Sequence, residues 1–313
     1  MDSKSGCNEI IVRYCFLIYV VTFLNFSFLH SQNKVESFLT PADSLNLKRQ
    51  NSVLINEAVL ASAALIGLHN LWYADYPKSK FHFTNDNNEW MQMDKIGHLY
   101  SAYHLGRLGA EAQAWSGADR KKQLWYGAGI GLVFLSAVEV LDGHSAEWGA
   151  SSGDIIANTA GTALYVSQEL LWKEQRIIPK FSFHTTSYAN KRPAVLGSSL
   201  SEQILKDYNG QTYWLSANLY SFAKGSKIPK WLNVSFGHGA EGMLYGNLNN
   251  HSFEEKQDIR RKLFLSLDVD LAKINTKSHF LKTFFSVLNT IKIPAPTLEY
   301  TADKGFKGHL LYF

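Results

Sequence analysis

Residues 262–272 read Lys-Leu-Phe-Leu-Ser-Leu-Asp-Val-Asp-Leu-Ala, and that run decides how the second half of the chain folds. Leu263, Leu265, Leu267, Val269 and Leu271 recur at every second position, with Ser266, Asp268 and Asp270 between them. A period of two is the spacing of a strand, whose side chains alternate between faces. Trp231–Phe236 repeats the pattern, with Leu232, Val234 and Phe236 on one side and Asn233 and Ser235 on the other. Tyr213–Phe222 also alternates, and Phe181–Tyr188 and Phe306–Phe313 are weaker strands of the same kind. His279–Ile293 reads as an amphipathic helix stopped by Pro294 and Pro296. Strands greasy on one face and polar on the other fit two pictures. One is an antiparallel sheet with its polar face in water. The other is a barrel wall with lipid outside and polar groups inside, and the terminal Tyr312-Phe313 suits it. Five strands fall short of the roughly eight that the smallest such barrel needs, so the ordinary sheet is expected.

Upstream of Pro179 the spacing is helical. Apolar, Ala-rich Val53–Tyr73 follows a helix start at Asn51-Ser52. A polar loop over 75–90 separates it from a second helix, Asp94–Trp115, which breaks at Gly117-Ala118-Asp119. The third helix, Lys121–Leu141, is apolar for nearly its whole length, and the fourth runs Gly153–Lys173. The expectation is an α+β chain: a four-helix unit over residues 53–175, then a β-rich antiparallel region over 176–313. Val53–Tyr73 and Leu124–Leu141 have the length and apolarity to be membrane-embedded.

The first residues carry an address. Ile10–Leu29 is an apolar run with Arg13, Thr22 and Asn25 as its main polar breaks, followed by His30-Ser31-Gln32-Asn33. That order is the order of a secretory signal peptide over residues 1–31; an uncleaved anchor is the alternative. Residues 32–52, with Pro41, read as a linker. Both cysteines, Cys7 and Cys15, lie inside the leader, so the exported remainder holds no thiol for disulfides, nucleophilic catalysis or zinc. The chain is therefore expected in the periplasm or outer membrane of a Gram-negative-type envelope, associated with membrane. A net charge of +4 and no basic run longer than Arg120-Lys121-Lys122 leave nucleic acid without support as a partner. Charged residues make up 19% and aromatics 13%, a balance suited to a protein that touches lipid.

Polar residues gather at helix ends in the first half. Asp94 and His98 share a helix face at a spacing of four, with Lys95 beside them. Glu139 and Asp142 end the third helix; Asp154 and Asn158 share a face of the fourth, where Gly161 leaves room for a neighbouring helix. Ordinary roles exist for most of them. Asp94 stands where an N-cap is wanted, Ser151 with Asp154 has capping-box spacing, and Asp142-Gly143 suits a turn. His98 can be a core imidazole bonded to a carbonyl, Asn158 can bond between helices, and His144 and Glu147 read as solvated loop residues. Glu139 resists such a role. It follows Leu132-Val133-Phe134-Leu135 and precedes Val140-Leu141, and a carboxylate in apolar surroundings must find a cation or take up a proton. Lys95 and His98 are its nearest candidates.

The run Asp94-Lys95-Ile96-Gly97-His98, then Glu139-x-x-Asp142, then Ser152-Gly153-Asp154 leading to Ala157-Asn158-x-x-Gly161, resembles the uncharacterised YfiM-type family of predicted periplasmic lipoproteins. More distantly it is similar to VanZ-like membrane proteins. The resemblance spans roughly residues 90–170 and implies a shared helical core and an envelope location, with no reaction attached. The chain departs from it in Asp142, where VanZ-like proteins have Gln, in its long β-rich tail, and in lacking a cysteine at the leader's end.

Two functions follow, and a small channel or transporter with the strands as its pore wall is a third possibility. The first is a structural or interaction role, with the cluster bracing helices and a membrane lipid or envelope component as partner. The second is a metal-assisted or acid/base hydrolase acting on an envelope lipid or cell-wall component, with Glu139, His98 and Asp154 as candidate catalytic groups. In that case a divalent metal is the cofactor the cluster admits, with His98, Glu139, Asp142 and Asp154 as its candidate ligands. No His-Glu-x-x-His helix is read in the chain, and no Ser-His-Asp signature of the Gly-x-Ser-x-Gly type is expected in it.

Overall fold

The computed structural model describes residues 34–313. The leader and both cysteines lie outside them. Helix α1 covers Leu47–Leu68 and runs on through a π-turn, His69–Tyr73. Its N-cap is Asn46, whose side chain accepts the Arg49 N–H, so the helix starts ahead of the expected Asn51-Ser52 and takes in the end of the 32–52 linker. Helix α2 is Met93–Trp115, α3 is Gly129–Gly143 and α4 is Ser152–Trp172. A helical turn at Arg120–Lys122 and a π-turn at Gln123–Gly127 lead into α3.

Small residues let α2, α3 and α4 approach closely. A methyl group on Gly161 would strike the Leu99 carbonyl oxygen, and one on Gly131 would strike that of Ala102. Tyr103, Ala110, Ala128, Tyr165 and Ile178 form the apolar centre between these helices and the sheet. The expected four-helix unit is thus a three-helix core with α1 along its flank. In α1 only Val53, and in its π-turn only Tyr73, are buried. Leu54, Ile55, Val59, Leu60 and Ile66 all face outward. Leu47–Tyr73 and Arg120–Gly143 are each long and apolar enough to cross a bilayer, by length and composition.

Six antiparallel strands follow in a meander: β1 (Ile177–Phe183), β2 (Gln211–Asn218), β3 (Leu232–Glu241), β4 (Arg260–Val269), β5 (Ala295–Thr301) and β6 (Gly305–Tyr312), each paired with the next. Helix α5, His279–Leu288, sits between β4 and β5. Tyr213–Phe222 is a strand only as far as Asn218, whose side chain caps the helical turn Leu219–Phe222. Strand β5 has no counterpart in the sequence reading, because Pro294 and Pro296 looked like terminators. Pro296 instead occupies the register shift between Ala295 and Thr297, where no ladder N–H is required of it.

The sheet is strongly curled. Lys180 on β1 reaches Asp268 on β4, with Nζ to Oδ2 at 2.9 Å, and the rings of Trp214, Phe264 and Tyr312 meet inside. Residues 290–292 bridge the free edge of β1: the Phe181 N–H donates to Thr290 O, and the Lys292 N–H to Phe181 O.

The polarity of the sheet reverses the expected one. Leu215, Phe236, Leu265 and Leu298 are cross-strand neighbours in one row and all face outward. The adjacent row, Ser216, Ser235, Ser266 and Thr297, is buried. Asn218, Asn233, Asp268, Asp270, Lys180 and Lys292 lie inside as well. Alternation correctly groups residues by face, but the inner face is the polar one, as in a barrel wall, and not the apolar face of an ordinary sheet.

Candidate functional site

Loop pairing assembles the site. Phe83–Thr84 and Ala150–Ser151 form a two-strand parallel ladder, which draws the polar 82–88 loop against the start of α4. Ahead of α2, Trp90, Met91 and Gln92 all have positive φ, at 47°, 54° and 62°. Left-handed backbone costs a non-glycine residue roughly 1–2 kcal/mol. The sheet region holds this turn in place: Arg261 donates to Met91 O and to Gln92 Oε1, and the Trp90 N–H donates to Gly246 O. The turn delivers Asp94 and Lys95 inside the first turn of α2. Asp94 therefore lies within the helix, and Gln92 is at the cap position without a capping bond.

Lys95 Nζ donates to three carboxylates: Asp86 Oδ2 at 2.6 Å, Asp154 Oδ2 at 2.9 Å and Asp94 Oδ2 at 3.1 Å. His98 lies next to this group. Its Nδ1 bonds Asn158 Oδ1 at 3.0 Å and stands 3.7 Å from Glu139 Oε1. Its Nε2 is 3.8 Å from Asp94 Oδ1 and 3.9 Å from Asp154 Oδ1. Glu139 Oε2 accepts the Ser151 N–H at 2.9 Å, and Ser151 Oγ donates to Asp86 Oδ1 at 2.5 Å. Asp142 turns to the other side, where Tyr73 donates to its Oδ1 at 2.6 Å. The Tyr208 hydroxyl, from the sheet half, donates to Asp94 Oδ1 at 2.9 Å. Glu139, Asp154 and Asn158 are buried, yet among the described residues Glu139 Oε1, Asp154 Oδ1 and Asn158 Nδ2 have no partner.

The electrostatics follow from burial and crowding. Burial pushes the Glu139 carboxyl up to about 7, against the Ser151 N–H and the His98 charge that favour ionisation. Asp142 rises to about 7 by burial, opposed first by the Tyr73 hydrogen bond. Burial and the neighbouring Asp94 charge lift Asp154 to about 6. Burial would raise Asp94 too, but His98, Lys95 and Tyr208 together hold it below the usual range. Burial pulls the His98 imidazole down, and the charges of Asp94, Asp154 and Glu139 outweigh it and raise it. Groups shifted in opposing directions within one buried cluster are a mark of functional sites.

Asp94, Lys95, His98, Glu139, Asp154 and Asn158 thus come together, and Gly161 makes the close helix crossing beneath them. Asp142 belongs to the Tyr73 side. Asp94, His98 and Asp154 each offer a donor atom within 4.8 Å of the others. Among the expected metal ligands, Glu139 faces the opposite edge of the imidazole. The sequence reading missed Asp86, Tyr73 and Tyr208. Its exclusion of a Gly-x-Ser-x-Gly signature is corrected by Gly149-Ala150-Ser151-Ser152-Gly153, which has that spacing of a nucleophile elbow. Such an elbow is a sharp, strained turn that exposes its serine. Ser151 is instead buried and extended, with φ −105°; it caps α4 and donates to Asp86. It is not a nucleophile of that type.

A cavity of about 280 Å³, lined by His69, Tyr73, Tyr76, Leu141, His144 and others, opens beside the Tyr73–Asp142 pair. An apolar groove between α1 and α3, lined by Leu65, Ile66, Ala137 and Val140, adjoins it.

Among curated proteins and solved structures none matches the chain. Residues 82–169, from the loop of Asp86 to the end of α4, match a family described as predicted periplasmic lipoprotein (DUF2279). The matched span contains the whole carboxylate–imidazole cluster apart from Tyr73 and Tyr208, and none of the sheet. With this match, the chain is an exported, membrane-associated protein of the periplasm whose helical core is similar to an uncharacterised periplasmic lipoprotein family.

Proposed function

We propose that the protein has a structural or interaction role at the membrane, resting against lipid through the apolar outside of its sheet and through α1. The observation that carries this is the outward row Leu215, Phe236, Leu265 and Leu298 across four neighbouring strands. A continuous exposed apolar patch marks an interaction surface, and apolar side chains outside with polar groups inside is the polarity of a lipid-facing wall. The exposed leucines, isoleucines and valine of α1 support the same partner, a membrane lipid or another envelope component. The likeness of the helical motifs to YfiM-type and VanZ-like proteins favours the same setting. Flotation of the purified chain with phosphatidylethanolamine–phosphatidylglycerol vesicles tests it. The protein is expected to float, and a Phe236→Glu, Leu265→Glu double variant of unchanged circular dichroism is expected to stay in the dense fractions. Flotation unaffected by the double change would contradict the reading.

A second reading, a metal-assisted or acid/base hydrolase acting on an envelope lipid or cell-wall component, is favoured by the unpartnered atoms around His98. A group titrating near 7, as Glu139 does, suits proton transfer at neutral pH. Hydrolysis of a fluorescent phospholipid or of a muropeptide that disappears in Glu139→Gln supports this reading, and identical turnover by that variant opposes it.

A further inference from the structure

We infer that Asp94 Oδ1, His98 Nε2 and Asp154 Oδ1 form a binding site for one divalent cation of the Mn²⁺ or Zn²⁺ kind. The inference is independent of the lipid-docking reading. It begins with the histidine tautomer. Asn158 presents its carbonyl oxygen to His98 Nδ1 at 3.0 Å, so Nδ1 carries a proton, and Nε2 is the atom that offers a lone pair once the imidazolium gives up its second proton. That atom faces two carboxylate oxygens at 3.8 and 3.9 Å. These separations are too long for hydrogen bonds, and the three atoms need a positive charge between them, which the second imidazole proton supplies in the metal-free chain and a cation that displaces this proton would supply at closer range.

Lys95 does not fill that place. It takes the Oδ2 atom of both Asp94 and Asp154, which leaves each Oδ1 directed at the imidazole. Tyr208 donates to Asp94 Oδ1 from outside. Lys95, Tyr208 and Asn158 are then the outer partners that orient the three ligands, the arrangement typical of metal centres. Donor–metal bonds of about 2.0–2.2 Å put two ligands at a tetrahedral angle about 3.5 Å apart, so the two carboxylate distances to Nε2 close by a few tenths of an ångström, within a triad whose ligand atoms lie within 4.8 Å of one another.

A further observation points to a bound ligand. Asp154 is buried with Oδ1 directed at the site and unpartnered among the described residues, and Glu139 Oε1, on the Nδ1 edge of the same ring, is a second buried oxygen left open nearby. Leaving a buried polar atom unpaired costs about 1–3 kcal/mol, and a brace built only for packing would have paired them. The charge balance agrees. Asp86, Asp94, Glu139 and Asp154 are gathered around one ammonium and one imidazole. Carboxylate oxygens with a single imidazole nitrogen suit Mn²⁺ and Zn²⁺ better than copper or an iron–sulfur cluster.

The test is a titration of the chelator-treated full chain with Mn²⁺, followed by electron paramagnetic resonance, and with Zn²⁺ by calorimetry. One ion per chain is expected, with a ¹⁴N coupling from His98 in the pulsed Mn²⁺ spectrum. A folded His98→Ala variant is expected to lose that coupling, and Asp154→Asn to bind at least tenfold more weakly. If His98→Ala does not fold, Asp94→Asn serves in its place and is expected to weaken binding similarly. Absence of stoichiometric binding by both ions overturns the inference, as does a ¹⁴N coupling that persists without His98. Because none of these variants touches the outer row of the sheet, flotation with vesicles is expected to be unchanged in all of them.

Discussion

The interior of the sheet and the interior of the helices both bury charge, and they treat it differently. Inside the sheet the ion group around Asp268 is answered, although Asp270 Oδ2 and Ser235 Oγ near it have no partner among the described residues. Asp268 receives Lys180, the Ser216 hydroxyl and the Ile293 N–H; Lys180 also donates to Val269 O, and Lys292 to Leu267 O and Ile293 O. Burial still depresses the Lys292 ammonium to about 8, with Asp268 holding it up. Among the helices, the Lys95 side is saturated while the His98 side leaves three buried polar atoms open. A saturated buried ion group acts as an anchor of the fold. An incomplete one keeps a position for something that is not part of the chain.

The largest expected effect lies in the anchor. Asp268→Asn strands two buried ammonium groups, and breaking a buried pair from one side costs about 3–5 kcal/mol. Urea denaturation is expected to lose that much, and a loss under about 1 kcal/mol would break the comparison by making the sheet interior dispensable. Lys95→Met comes next. It removes the ammonium shared by Asp86, Asp94 and Asp154, and because these groups are partly reachable by solvent and can protonate, a smaller cost of about 2 kcal/mol is expected, concentrated at neutral pH.

The pH dependence sharpens the contrast further. Glu139 and Asp142 titrate near 7 and Asp154 near 6 in the folded chain, all above their ordinary values. The fold therefore favours their protonated forms. The stability they contribute is complete below their unfolded values and is lost as pH rises through 6–7. Metal-free protein is expected to show a urea midpoint that falls between about pH 4 and 7 and levels off above, on the order of 1 kcal/mol per unit of pKa shift. Glu139→Gln is expected to flatten that fall, and an unchanged slope would remove Glu139 from the coupled group. The smallest effect on stability belongs to the outer row. Leu265→Glu is expected to move stability by no more than about 0.5 kcal/mol, with its consequence appearing in vesicle binding alone.

Which of these differences the sequence could carry depends on range. Glu139 stood out because apolar neighbours on its own helix leave a carboxylate no local answer, and that is visible in a dozen residues. Asp94, His98, Asp154 and Asn158 were legible for the same reason, as pairs at helical spacing. Asp86 was not, since its Asn-Asp-Asn-Asn loop looks solvated until Phe83–Thr84 pairs with Ala150–Ser151, far along the chain. Tyr73 and Tyr208 arrive from separate elements with no local signal at all. Ser151 was read as a cap, and it is one. The sheet teaches the sharper lesson. Alternation in 262–272 reveals which side chains share a face, but which face is inside depends on curvature and on Lys180 and Lys292, distant residues that no local period encodes. Pro296 misled for a related reason: a proline reads as a stop until a register shift frees its position from the ladder.

The state of the His98 ring is the most direct test of the contrast between a filled and an open buried cluster. ¹⁵N NMR of selectively labelled imidazole at pH 8, before and after addition of Zn²⁺, reads each nitrogen separately. A protonated Nδ1 is expected throughout, with an Nε2 that gives up its proton to the ion and whose resonance shifts on adding one equivalent of Zn²⁺. Two protonated ring nitrogens that ignore the ion would contradict that expectation, and would make the helical cluster a closed brace like the one inside the sheet.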